Sequence, residues 1–392
     1  VRFGIDCLVA NPALLDGCSR VGMVTNDAAR LAADASVHSR VALQAAGVPL
    51  VRLFGPEHGL SGTAADGAAV GDDIDVRTGL PVVSLYGERM RPTREQLHDL
   101  DVVLFDIPDV GARFYTYTWT LFHLLSACAE YGVPLVVLDR PNPLGGASAS
   151  VEGPVLELAY RSFVGEDAIP IVHALTLGEL ACLWQRERFP AANVRVIACT
   201  GWRRGQRWPA LSLPWVPTSP SMPAFESVAW YPGTCLFEAT NLSVGRGTDA
   251  PFCLVGAPWL DAAAVLDAFT RRCDVPASAC TFMPSHAPYL HETCQGIRLG
   301  APEHASAPVA TGLLLLAAIM TVHAGEFAWR GYPTAANPTG EGHFERLVGR
   351  GGVRAALDAD AATVTATLVR EWTRAEGWRD RMSAPGVRQY SD

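Results

Sequence analysis

Five short apolar runs, RVGMVTND, PLVRLFGPE, LDVVLFDIPD, PLVVLDRP and NVRVIACTG, punctuate the first half of the chain, and each gives way to polar or turn-forming residues. Short apolar runs of this kind, bounded by turn-forming residues, read as strands. The stretches between them, such as DASVHSRVALQAAG and TWTLFHLLSACAEYG, carry helical spacing. Strand and helix in alternation lead to a mostly parallel α/β sheet.

In a parallel sheet the residues that follow the strands gather at one edge, where ligand crevices form. Asn26, Glu57, His58, Asp106, Asp109, Asp139 and Arg140 all stand at such exits. The same residues would also serve as helix caps or ties for loop amides.

The alternation stops at LSLPWVPTSPSMPAFESVAWYPG, rich in proline and aromatic residues. A division near Glu226 gives a first domain over 1–225 and a second over 226–392, and a chain of 392 residues is long enough for two. In the second part APWLDAAAVLDAFTRR, VATGLLLLAAIMTVHAGEF and VRAALDADAATVTATLVREW read mainly as helices, so a smaller α+β domain is expected. GLLLLAAIMTV is about half as long as a membrane span and reads as a buried helix. The closing RMSAPGVRQYSD is expected to fray.

Composition narrows the function. Hydrophobic residues make up 49% and charged ones 18%, which excludes a disordered chain, and a formal charge of -9 without a basic block argues against nucleic acid. Ten cysteines are scattered with no CxxC pair, a mild indication of a reducing compartment. The opening VRFGIDCLVA has no signal-peptide pattern and no membrane anchor is expected, though a removed leader would leave the compartment open between cytoplasm and exterior.

FGPEHGLSG sets Glu57 beside His58 between glycines, and FDIPDVGARFYTYTWT supplies Asp106, Asp109, Arg113, Tyr115 and Tyr117. So many polar groups near one strand exit imply a polar pocket, since burying them unpaired is costly. Cleavage of a glycosidic bond would use them: an acid protonates the leaving oxygen, and positive charge on the sugar is stabilised. Glu57 fits the acid, Asp106 or Asp109 the partner that orients water or steadies the transition state, and His58 a proton relay. Arg140 in DRPNPLGG and His173 in IVHALTLGEL stand ready for ligand contact, or for structural pairing.

Metal chemistry is the competing reading, from His58, His173, Asp106, Asp109 and Asp139, yet no compact ligand spacing appears and HETCQ lacks the second histidine of HExxH. No GxSxG elbow, Walker loop or GxGxxG fingerprint is present, so no cofactor is expected.

The ordered blocks VGMVTNDAA, FGPEHGLSG, VVSLYG, VLFDIPDVGARFYTYTWTL, VVLDRPNPLGG, TSPSMP and YPGTCLFEATNLSVGRGTDAPF resemble the bacterial exo-β-N-acetylmuramidase family called NamZ, over most of the chain. The resemblance implies a Rossmann-like catalytic domain, an auxiliary second domain closing a cleft, and release of terminal N-acetylmuramic acid (MurNAc) from the non-reducing ends of peptidoglycan fragments or muropeptides. It implies the acid at Glu57 and puts His58, Asp106, Asp109, Arg113, Tyr117 and Arg140 in matching polar blocks. The lactyl carboxylate of the sugar suits a guanidinium, for which Arg113 and Arg246 are the candidates. A muropeptide-binding protein without hydrolysis and a metal-dependent hydrolase are the alternatives. The chain departs from the family pattern at Ser221, where an asparagine is common, at HALT around His173, where HGMT is usual, and at the ending YSD in place of LLY.

Overall fold

The computed structural model describes residues 1–62, 68, 71–87 and 89–391. The five apolar runs are strands, joined by two that the patterning did not single out: β1 Val21–Thr25, β2 Leu50–Gly55, β3 Asp73–Ile74, β4 Pro81–Ser84, β5 Val102–Asp106, β6 Leu135–Leu138 and β7 Val194–Ile197. They form one sheet in the order β3-β4-β2-β1-β5-β6-β7, parallel except for β3, which runs antiparallel to β4 at the edge. Every residue of β1 and β5 is buried, as central strands covered on both faces must be. The fold is the mostly parallel sheet that the alternation predicts, in the Rossmann-like architecture that the family resemblance implied.

The strand order positions the site. The chain moves outward from β1 through β2 to β4 and then returns to place β5 on the opposite side of β1. Flanking connections therefore diverge at the C-terminal ends of these strands and open a crevice there. Thr25 pairs with Asp106 and Gly55 with Ser84, which sets the exits of all four strands along one edge.

Two helices pack on this sheet and against each other. Tyr117–Tyr131 stops at Gly132, whose φ of 72° is the left-handed conformation of a helix C-terminus. Leu177–Glu187 starts with a capping box in which Thr176 and Glu179 satisfy each other's backbone N–H groups. Trp119, Phe122 and Trp184 pack where the two helices meet. The helix expected in DASVHSRVALQAAG begins only at Ser39, because the Asp34 carboxylate accepts from the Ser36 N–H and hydroxyl and holds a turn instead.

The second domain carries β8 Leu254–Ala257, β9 Ala277–Phe282 and β10 Cys294–Leu299 in an antiparallel sheet of order β8-β10-β9. Behind it lies the Pro308–Val322 helix, buried nearly all round, and none of the described helices is long and apolar enough to cross a membrane. Glycines explain how tightly this helix meets Phe225–Thr234: a Cβ on Gly233 would stand 1.9 Å from the Pro308 carbonyl oxygen. VRAALDADAATVTATLVREW is broken into helices Val353–Asp360 and Ala366–Trp372, since Asp360 and Thr365 accept from downstream N–H groups and restart the chain.

The closing segment, as far as Ser391, does not fray. Trp378 Nε1 donates to the His173 carbonyl at 2.9 Å, Val387 is buried, and the Tyr390 hydroxyl donates to Asp139 at 2.5 Å. Asp139 also accepts from the Thr176 hydroxyl and the Gly178 N–H, so this strand-exit carboxylate ties the chain's end to the first domain. A fully buried carboxylate needs such partners.

Candidate active site

β2 ends in a turn that fixes Glu57. Gly59 N–H donates to the Pro56 carbonyl, and His58 sits at φ 68°, a left-handed conformation rare outside glycine, asparagine, aspartate and histidine. Backbone of this kind at a strand exit is held by its surroundings, here by Asp27 N–H bonded to the Leu60 carbonyl. The Glu57 carboxyl is buried and accepts a 2.5 Å hydrogen bond from the hydroxyl of Thr116, the residue that begins the Tyr117–Tyr131 helix. An acidic group there faces the positive end of the helix dipole.

Glu57, His58 and Thr116 face a cavity of about 840 Å³, counting its open mouth, that both domains wall. Tyr115, Tyr231 and Phe252 form an edge-to-face aromatic flank, with Tyr115 to Tyr231 at 6.0 Å and Tyr231 to Phe252 at 4.8 Å. From the second domain come Glu238 and Arg246, paired at 2.6 Å, with Arg246 also donating to the Ser221 hydroxyl at 2.5 Å and lying over the Phe252 ring. Tyr332 stacks face to face on His343 at 4.8 Å, and Asn337 and Arg346 complete that wall. Burial and the nearby Arg346 charge push His343 down to about 4, so it is neutral at ordinary pH.

The other residues expected at the site lie around this cavity rather than in it. Asp106 and Arg140 form a buried bidentate pair at 2.6 and 3.0 Å, and Arg140 also donates to the Arg30 carbonyl. Asp109 borders a smaller crevice at the ends of β5 and β6, accepts from the Gly111 N–H, and is pushed by burial to about 6. His173 is buried with Nε2 3.9 Å from Asp109, and burial pushes it to about 3. Asn26 and Tyr117 are buried beside one another, and the Tyr117 hydroxyl donates to the Thr218 carbonyl.

Arg113 departs furthest from its expected role in ligand binding. Its guanidinium is fully buried and donates to four carbonyls, of Pro154, Ile169, Leu347 and Val348, at 2.5 to 3.1 Å. It fastens the second domain's His343–Val348 helix to the first domain from beneath. The cavity thus gathers Glu57, His58 and Arg246, while Asn26, Asp106, Asp109, Arg113, Tyr117, Arg140 and His173 lie outside its lining. Glu238 lies in the recognisable block YPGTCLFEATNLSVGRGTDAPF without a catalytic signature of its own, and Tyr332, Asn337, His343 and Arg346 carry no motif. Among the described residues no group of three or more His, Cys, Asp or Glu side chains is gathered as a metal ion would need.

The model of the N-terminal domain of the exo-β-N-acetylmuramidase NamZ matches residues 21–226, and that of its C-terminal domain matches residues 229–382. The chain belongs to the NamZ family. The peptidoglycan β-N-acetylmuramidase NamZ of Bacillus subtilis (strain 168) is 38% identical over 363 residues, covering 91% of this chain and 84% of that protein. Two crystal structures of DUF1343 family proteins from Bacteroides fragilis NCTC 9343 are also similar. One has a TM-score of 0.82 at 30% identity, covering 95% of this chain and 94% of its own; the other has 0.75 at 29%, covering 100% and 99%.

Two departures from the NamZ pattern acquire a structural meaning. Ala174 takes the place of the glycine in HGMT and stands at φ 56°, where glycine is at ease and alanine is strained. Ser221, in place of the usual asparagine, keeps a polar partner for Arg246 on the cavity wall.

Proposed function

We propose that this chain is an exo-β-N-acetylmuramidase acting on peptidoglycan-derived fragments, with Glu57 as the acid that protonates the departing glycosidic oxygen. The observation that carries the reading is the buried Glu57 carboxyl, held by Thr116 at the floor of a two-domain cavity, in a chain that the NamZ models match over both domains. The space is in the range of small-ligand sites.

In this reading residues 1–225 supply the acid and residues 226–392 close the cavity over the terminal sugar. The aromatic flank offers apolar faces to the pyranose ring, as Tyr and Phe do for amphipathic ligands. Thr116 holds the Glu57 carboxyl in one orientation, and His58, next to it in the same turn, relays the proton. Asp106 and Asp109 act at one remove, the first by bracing the sheet edge through Arg140 and the second by fixing the loop that leads to Thr116. The second carboxylate on the cavity wall is Glu238, whose charge Arg246 offsets.

The test is product identification. Purified protein is incubated with MurNAc-GlcNAc and with a matched fragment whose terminal sugar is N-acetylglucosamine, and products are separated by chromatography. Free MurNAc from the first and none from the second is expected. No release across a broad pH range contradicts the reading.

A further inference from the structure

A sugar that bears a lactyl carboxylate has to find a cation in the cavity, and two arginines line it. Arg246 is already satisfied: Glu238 contacts it at 2.6 Å and offsets its charge, and the Ser221 hydroxyl takes another of its N–H groups. Arg346 differs. Among the described residues its guanidinium has no hydrogen bond or ion pair, and the adjacent Glu345 is engaged by Arg354 at 3.0 Å. The half-buried Arg346 therefore brings an uncompensated positive charge to the wall.

That charge stands on a fixed support. The carbonyls of Leu347 and Val348, the two residues after Arg346, are the ones that Arg113 grips at 2.5 and 2.9 Å. Gly349 follows at φ 75°, and a Cβ there would meet the Arg113 guanidinium at 2.6 Å, so the glycine lets the helix end approach it this closely. Three residues before Arg346, one helical turn away, the His343 ring is held by its stack on Tyr332. His343 is neutral and adds no second charge.

We infer that Arg346 is the specificity residue that binds the lactyl carboxylate of the terminal sugar, distinguishing it from N-acetylglucosamine, which has a hydroxyl at that position. The inference rests on the function proposed above, and it names a group the family blocks did not. A guanidinium meets a carboxylate through two parallel hydrogen bonds, which gives orientation as well as affinity. It also places the recognition of the sugar in the second domain, opposite the acid in the first.

The test is a two-by-two titration followed by NMR, in which MurNAc and its lactyl methyl ester are added to the wild type and to Arg346→Gln. The wild type is expected to bind the acid about 10- to 100-fold more tightly than the ester, the worth of a charge-assisted pair. Arg346→Gln binds both as the wild type binds the ester, and Arg346→Lys recovers part of the difference. A wild type indifferent to esterification, or a variant that still prefers the acid, overturns the assignment, and so does absence of binding. Wild-type preference for the acid shows up whether or not the variant folds. Turnover of MurNAc-GlcNAc, measured on the same preparation, reports separately on the proposed activity.

Discussion

Arg113→Met separates the cost of a buried cation from what it contributes. Burial without a carboxylate pushes Arg113 down to about 9, a shift that corresponds to about 5 kcal/mol spent in holding the charge away from water. Against this stand hydrogen bonds to four buried carbonyls, at about 2 kcal/mol each for a charged donor. Methionine fills similar space, relieves the first term and orphans all four acceptors, so the balance is a loss of about 3 kcal/mol. Urea unfolding followed by fluorescence measures it, as a lower midpoint at an unchanged slope. Arg113→Lys recovers less than half, because its single nitrogen cannot reach both the Pro154–Ile169 pair and the Leu347–Val348 pair. A methionine variant as stable as the wild type would show instead that the bonds are worth no more than the desolvation.

Two further outcomes follow from neighbouring residues. Ala174→Gly removes the strain of a left-handed alanine, worth roughly 1–2 kcal/mol, and gives back part of it as unfolded-chain entropy, so a net gain of about 0.5–1 kcal/mol in urea unfolding is expected; a loss would show that the alanine is at ease there. Asp109→Asn alters how stability depends on pH. The folded protein keeps the Asp109 proton to about 6 while the unfolded chain releases it near 4, so wild-type stability relative to the variant falls by about 3 kcal/mol as pH rises through that window. His173, folded at about 3, works the other way and loses stability as pH falls from 6.5, which leaves the variant with the rising limb alone. Equal slopes for the two proteins in urea titrations between pH 4 and 6 would contradict this.

How much was legible in the sequence depended on the range of the interaction. The parallel sheet was readable because its strands announce themselves locally as short apolar runs that alternate with stretches of helical spacing. Glu57 was readable as a polar residue just past such a run. Arg113 stood in an equally polar stretch, but what it does is decided by carbonyls at 347 and 348, more than two hundred residues away. Tyr390 is the same case: the ending looks short and polar, and only its distant partner Asp139 shows why it is held. Arg346 lies on a six-residue helix with no recognisable spacing, and its importance comes from being left without a partner in a cavity that the sequence does not outline. The caps Asp360 and Thr365, by contrast, were visible as residue types and were outweighed by the helical pattern around them.

Whether Glu57 delivers the proton to the leaving oxygen is decided by the turnover of MurNAc-GlcNAc by Glu57→Gln. The glutamine keeps an oxygen for the Thr116 hydroxyl and the shape of the turn, so folding and MurNAc binding should be those of the wild type. A fall in kcat of at least about 100-fold is expected, the usual contribution of a positioned general acid. Wild-type turnover in a folded Glu57→Gln protein would contradict it.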